Sequence, residues 1–185
     1  MSEEITQKLS VDMKKSLESF QRDLAKVRTG RASPAVLEPI QVDYYGSHMP
    51  IHQVANVTTP DARTIQIVPW EAGMIGVIEK AILAANIGMT PQNDGKVIRV
   101  PLPALTEERR KEMVKLIKKM GEEAKIVIRN QRRDANELIK KAEKDKGMSQ
   151  DEAKKVLDKV QKETDAHIAQ VDKLVENKEK EVLTV

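Results

Sequence analysis

The sequence predicts an α+β protein: a long three-helix bundle with a small β/α/β domain inserted into it. Three observations carry this. Residues 1–28 and most of 106–183 place apolar side chains at steps of three and four, the spacing of amphipathic helices. Residues 35–105 instead alternate apolar and polar side chains in short runs between turn signals. The chain has 185 residues, room for one large domain or two small ones.

The first helix carries Ile5, Leu9, Met13, Leu17, Phe20, Leu24 and Val27 on its apolar stripe, and "TGRASP" (29–34) stops it. In the middle part, "IQVDYY" (40–45) alternates, Gly46-Ser47 reads as a turn, and "MPIHQV" returns. "VANVTT" (54–59) and "RTIQIV" (63–68) read as a second strand pair around Pro60-Asp61. Met74, Val77, Ile78, Ala81, Ile82 and Ala85 give a short helix, "TPQNDG" (90–95) a turn, and "VIRVP" (97–101) a last strand. Tyr44 and Tyr45 are expected on opposite faces of a strand and Trp70 in the core of this domain.

Thr106 is the expected cap of the second long helix, with Glu107 and Glu108 suiting its positive N-terminal end. Its expected seam is Met113, Ile117, Met120, Ala124, Val127, Gln131, Ala135, Leu138 and Ala142. Gly147 reads as the stop, and Ser149 with Glu152 as a capping box. The last helix is expected to turn Ala153, Leu157, Val160, Thr164, Ile168, Val171, Val175 and Val182 inward. Two helices joined by a short turn lie antiparallel and leave a groove that the first can fill. The expected domains are 1–29 with 106–185, and 30–105 inserted. Two linkers form the hinge: Thr29, Gly30, Arg31, Ala32, Ser33 and Pro34 on one side, and Pro101, Leu102, Pro103, Ala104 and Leu105 after Val100 on the other.

Lys and Arg number 32 against 29 Asp and Glu, a net +3, so a basic patch must come from placement. It does, in "IVIRNQRRDANELIKK" (126–141). At about 100° per residue, Lys111, Lys115, Lys118, Lys125, Arg129, Arg132, Arg133 and Lys140 share an arc opposite the expected seam, with Asn136 and one acid, Glu122. The last helix mixes its signs, and the insert is near neutral. A one-signed stripe some 40 Å long suits a polyanion, and arginine forks suit phosphate. A solvated face and a scaffold for an acidic protein are the alternatives. None of the aromatics, Phe20, Tyr44, Tyr45 and Trp70, lies on the stripe, which argues against stacking on single-stranded bases.

There is no Cys, so disulfides, thiolate metal sites and a cysteine nucleophile are excluded. No phosphate-binding glycine loop and no convergent pair of histidines is present; His48 and His52 fall in a strand-and-turn region, and His167 borders the inward face of the last helix. The expectation is a non-enzymatic protein with no catalytic residues, no metal and no cofactor. The acidic, polar start "MSEEITQKLS" and the lack of a long apolar run point to a cytoplasmic protein with no membrane partner.

Four stretches in order, "VRTGRASP" (27–34), "VDYYG" (42–46), "NDGKVIRVPLPALTEERRK" (93–111) and "IRNQRRDAN" (128–136), resemble the bacterial ribosome recycling factor family over essentially the whole chain. The resemblance implies an L-shaped pair of domains with a flexible joint. It implies binding to the large ribosomal subunit after peptide release, and subunit splitting with elongation factor G and its GTP hydrolysis, releasing mRNA and tRNA. By position it implies that Arg129, Arg132 and Arg133 contact ribosomal RNA, with Lys118, Lys125 and Lys140 on the same stripe. Arg28, Arg31 and Arg110 would support that face near the joint. It further implies that the insert meets elongation factor G, and a monomer is expected. The sequence departs from the family in having Gln131 where an aliphatic residue is usual, and "NIGMTP" (86–91) where "LGLNP" is usual.

Overall fold

The computed structural model describes residues 2–184. The chain forms two compact units, one from the segment ending at Arg28 together with Arg110–Leu183, the other centred on Thr29–Arg109.

The first unit holds three helices, α1 (Ser2–Ala25), α3 (Glu107–Lys144) and α4 (Gln150–Leu183). Local chemistry sets their ends. The Thr106 hydroxyl accepts the Arg109 N–H at 3.2 Å, and the Ser149 hydroxyl accepts the Glu152 N–H at 3.2 Å. α3 closes in a Schellman arrangement: Gly147 N–H donates to the Ala142 carbonyl at 2.9 Å and Lys146 N–H to that of Glu143 at 3.1 Å. The left-handed residue is Lys146, at φ +58, rather than Gly147, the expected stop. Met148 then buries itself beneath the turn.

The buried positions differ in part from the expected seams, by the choice between adjacent residues. On α3 they are Met113, Ile117, Gly121, Ile128, Ala135, Ile139 and Ala142. Val127 is 45 % exposed and Leu138 48 % exposed, which corrects their expected inward placement. On α4, Val156 and His167 are buried where Leu157 and Ile168 were expected. Positions 117, 128 and 139 are eleven apart, as are 153 and 164, 156 and 167, and 160, 171 and 182. On α1, Leu9 with Phe20 and Met13 with Leu24 repeat the interval. Eleven residues make three turns of about 3.67, close to an undistorted helix, and the expected α3 seam from Met113 to Ala142 averages about 3.6 per step, so the two sets differ in the face they select and not in their period. The inward face of α3 is turned by about 40° from the expected seam, toward the basic side.

Each helix pair carries a polar tie. Ser10 donates to Glu163 at 2.9 Å between α1 and α4. Gln131 Nε2 donates to the Ser16 hydroxyl at 2.8 Å and to the Asp12 carbonyl at 3.3 Å, joining α3 to α1. That pairing accounts for an amide at a position where an aliphatic side chain would serve. Lys125 joins α3 to Asp172 of α4 at 2.9 Å. His167 is buried, with Nδ1 2.8 Å from the Glu163 carbonyl one turn back.

The second unit contains a two-stranded hairpin, β1 (Gln41–Tyr44) and β2 (Ser47–Pro50). Its larger sheet, in the order β3-β4-β6-β5, comprises β3 (Ala55–Asp61), β4 (Thr64–Pro69), β5 (Gln92–Asn93) and β6 (Ile98–Pro101), all pairs antiparallel. Helix α2 (Ile75–Ala84) turns Ile75, Ile78 and Ile82 into an aliphatic core with Val42, Ile65, Ile67, Ile98 and Val100. The hairpin turn is Tyr45-Gly46, at φ +49 and φ +87, one residue earlier than the expected Gly46-Ser47. Tyr45 is therefore a turn residue, 81 % exposed, not a strand residue. Trp70 is 67 % exposed and outside the core expected to hold it. β4 ends at Pro69, so Trp70 follows the last buried strand position and the aliphatic side chains close the core without it.

Candidate nucleic-acid interface

The basic stripe starts from the spacing of cations on α3, and the tertiary structure sorts them. Lys118, Arg133 and Lys140 are exposed, and Arg129 is half-buried beside the buried Ile128. None of these four makes an ion pair among the described residues. Arg132 is half-buried; among the described residues its guanidinium donates to the Gln161 amide oxygen of α4, at a long 3.5 Å, and to no carboxylate, which leaves the charge uncompensated.

Lys125 is different. Its side chain is 15 % exposed, and its ammonium donates to Glu122 at 2.7 Å and to Asp172 at 2.9 Å. The hydrogen bond to Glu122, then that to Asp172, raises its pKa above the ordinary lysine value. The turn of the buried face toward the basic side brings this position to the α3–α4 border. One consequence is electrostatic. Glu122 is the single acid within the stripe, and Lys125 occupies its carboxylate, so the remaining cations face outward without an internal counter-charge. Lys118 to Lys140 spans roughly 33 Å of helix at 1.5 Å per residue.

Arg110 lies in the first turn of α3 and is half-buried; Arg28 follows α1 and is exposed. Arg31 is exposed and belongs to the second unit.

The expected hinge residues divide into two groups. The Ala32 N–H donates to the Ala62 carbonyl at 2.7 Å and the Leu102 N–H to the Arg63 carbonyl at 2.7 Å, so both chains are clamped to the β3–β4 turn. The Ser33 hydroxyl accepts the Ala35 N–H and opens a short 3₁₀ turn with Pro34 at its first position, and Pro101 ends β6. Thr29, Gly30 and Arg31 on one strand, and Pro103, Ala104 and Leu105 on the other, lie outside those clamps. Gly30 has φ +76, and a β-carbon there would come within 2.7 Å of the Leu105 side chain, so the two linkers touch at that point.

Sequence reasoning missed two features. Nothing local marks Lys125 as a bridge, because Asp172 is 47 residues away on another helix. A second cluster, Tyr44, Tyr45 and Glu71, forms only when the hairpin folds over the segment after β4. Among the described residues no group of His, Asp and Glu is placed to hold a metal ion, and no helix is long and apolar enough to cross a membrane.

Comparison with known proteins gives a consistent result. Residues 20–183 match the family model described as ribosome recycling factor. The ribosome-recycling factor of Burkholderia ambifaria is 57 % identical over 173 residues, covering 94 % of this chain and 93 % of the relative. That of Syntrophomonas wolfei is 53 % identical over 173 residues, covering 94 % of each. A solution structure of a ribosome recycling factor superposes with a TM-score of 0.72 at 44 % identity, over 100 % of this chain and 98 % of that one. A second structure describes the T. thermophilus ribosome recycling factor and E. coli elongation factor G bound to the E. coli post-termination complex; it matches with a TM-score of 0.64 at 42 % identity, over 99 % of each chain. A family match from Phe20 to Leu183 spans the end of α1, the whole insert and all of α3 and α4, so this chain belongs to the ribosome recycling factor family.

Proposed function

We propose that this chain acts in the cytoplasm as a ribosome recycling factor that supplies shape and charge rather than chemistry. It binds the post-termination ribosome and, with elongation factor G and that partner's GTP hydrolysis, promotes separation of the subunits and release of mRNA and tRNA. The observation that carries the reading is the outward row on α3: Lys118, Arg129, Arg132, Arg133 and Lys140, with the one acid of the stripe, Glu122, paired to Lys125 and not to any of these five. Such a row suits the sugar-phosphate surface of large-subunit RNA, recognised by shape and charge without base reading. Arg28, Arg31 and Arg110 extend the basic surface. Lys125 serves the bundle instead of the RNA. Thr29–Arg31 and 103–105, outside the clamps at Ala32 and Leu102, form the pivot on which elongation factor G moves the insert.

The test is co-sedimentation with vacant ribosomes and isolated large subunits over a salt series, with the Arg129/Arg132/Arg133 triple alanine variant alongside. Binding should fall steeply with salt, because each neutralised phosphate releases counterions. The variant should lose most binding and show a shallower salt slope. Binding indifferent to salt and to the three arginines would return the row to a solvated face.

A further inference from the structure

We propose that Tyr44, Tyr45 and Glu71 form a receiving site for an arginine side chain projected by elongation factor G. This deepens the reading above and rests on it.

The insert carries three of the four aromatic residues of the chain, Tyr44, Tyr45 and Trp70, and its buried core contains none of them. Tyr45 is 81 % exposed and is held at φ +49, a backbone region disfavoured for a residue with a β-carbon. The tyrosine rings meet edge to face with centroids 4.8 Å apart. Both phenols converge on one carboxylate: Tyr44 donates to Glu71 Oε1 at 2.7 Å and Tyr45 to Oε2 at 3.0 Å. Tyr44 is half-buried against the core and anchors the exposed Tyr45, so the pair is pre-shaped for contact, and tyrosine is among the residues that dominate protein interfaces.

Charge identifies the occupant. The two phenols hold Glu71 below the usual glutamate range, so the carboxylate stays ionised. No lysine, arginine or histidine pairs with Glu71 among the described residues. Each carboxylate oxygen keeps a second acceptor site. A phenol donating to an anion gains electron density in its ring, which strengthens the attraction of the ring face for a cation. An anionic centre flanked by two such rings suits a guanidinium, whose plane stacks on an aromatic face while its N–H groups reach the carboxylate. The site is open surface, which fits a side chain presented by a protein.

The test varies elongation factor G in a splitting assay followed by light scattering, using the full chain. Glu71→Gln removes the charge, keeps one acceptor oxygen for a phenol, and presents an NH2 that can donate to the other phenol oxygen. Tyr45→Gly removes the ring and suits the left-handed turn. Each variant should require roughly tenfold more elongation factor G for half-maximal splitting, a change of one decade in affinity. Ribosome co-sedimentation without the factor should equal that of the parent. An unchanged dependence on the factor, with the parent active, overturns the site and leaves the recycling reading intact. Weakened ribosome binding without the factor also overturns it, by placing the cluster against the ribosome. A parent that splits no ribosomes overturns both.

Discussion

Gly121 of α3 and Val175 of α4 approach so closely that a β-carbon at 121 would lie 2.5 Å from Val175 Cγ2. Valine is stiff at its β-branch, so the methyl cannot swing aside freely. Gly121→Ala should therefore destabilise the protein by about 1–2 kcal/mol, despite the helix propensity of alanine favouring it by about 1 kcal/mol. Adding Val175→Ala should recover part of the loss, since the pair then fits. Thermal melts of the two single variants and the double variant check this; a stabilised Gly121→Ala would mean that the helices part without cost.

The choice between adjacent apolar residues makes a paired prediction. Ile128 is 1 % exposed, and Val127 is 45 % exposed. Ile128→Ala should cost about 3 kcal/mol and Val127→Ala less than about 1 kcal/mol. Equal losses in denaturant titration would contradict the packing described.

Lys125 should behave as a bundle residue. Lys125→Met should cost about 1 kcal/mol at pH 7, or about 3 °C in melting temperature, while leaving large-subunit binding within twofold. The sign of its pH dependence follows from the raised pKa. The folded state holds the lysine proton more tightly than the unfolded state does. The contribution is thus complete below the ordinary value of 10.5 and disappears as pH rises through the raised folded value. Melting curves of the parent and variant should converge above that range and stay apart at neutral pH.

Gly30 tests the pivot. Its φ of +76 disfavours any side chain, and the Leu105 side chain fills the space beside it. Gly30→Ala should lower the rate of subunit splitting several-fold while ribosome binding changes by less than about twofold, because on the proposed reading binding rests on α3 and splitting requires the joint to move. Gly30→Pro should act more strongly, since proline cannot adopt that φ. Equal loss of binding and splitting would indicate misfolding.

The clustering of cations on one side of α3 could be read without any partner helix, because charge on a single helix needs only the 100° step. The helix termini were nearly as legible. Thr106 and Ser149 cap through contacts within three residues. The left-handed position fell to Lys146 instead of its glycine neighbour because the Schellman hydrogen bonds count from Ala142, the last fully packed residue. Trp70 went the other way: an aromatic side chain suits a core by its chemistry, yet Ile65, Ile67, Ile98 and Val100 already fill this one.

The sequence by itself determined the three amphipathic helices, their caps, the alternating strands of the insert and the one-signed stripe, since each depends on residues close together in the chain. Tertiary structure decided which of two adjacent apolar residues faces inward. At 127/128, 138/139, 156/157 and 167/168 the chain offers neighbours about 100° apart, and both fit an amphipathic pattern. Packing of the three helices selects Ile128, Ile139, Val156 and His167, because which neighbour is covered depends on where the other two helices lie. The same choice carries Lys125 to Asp172 and so separates the lysine that holds the bundle together from the cations left for a partner.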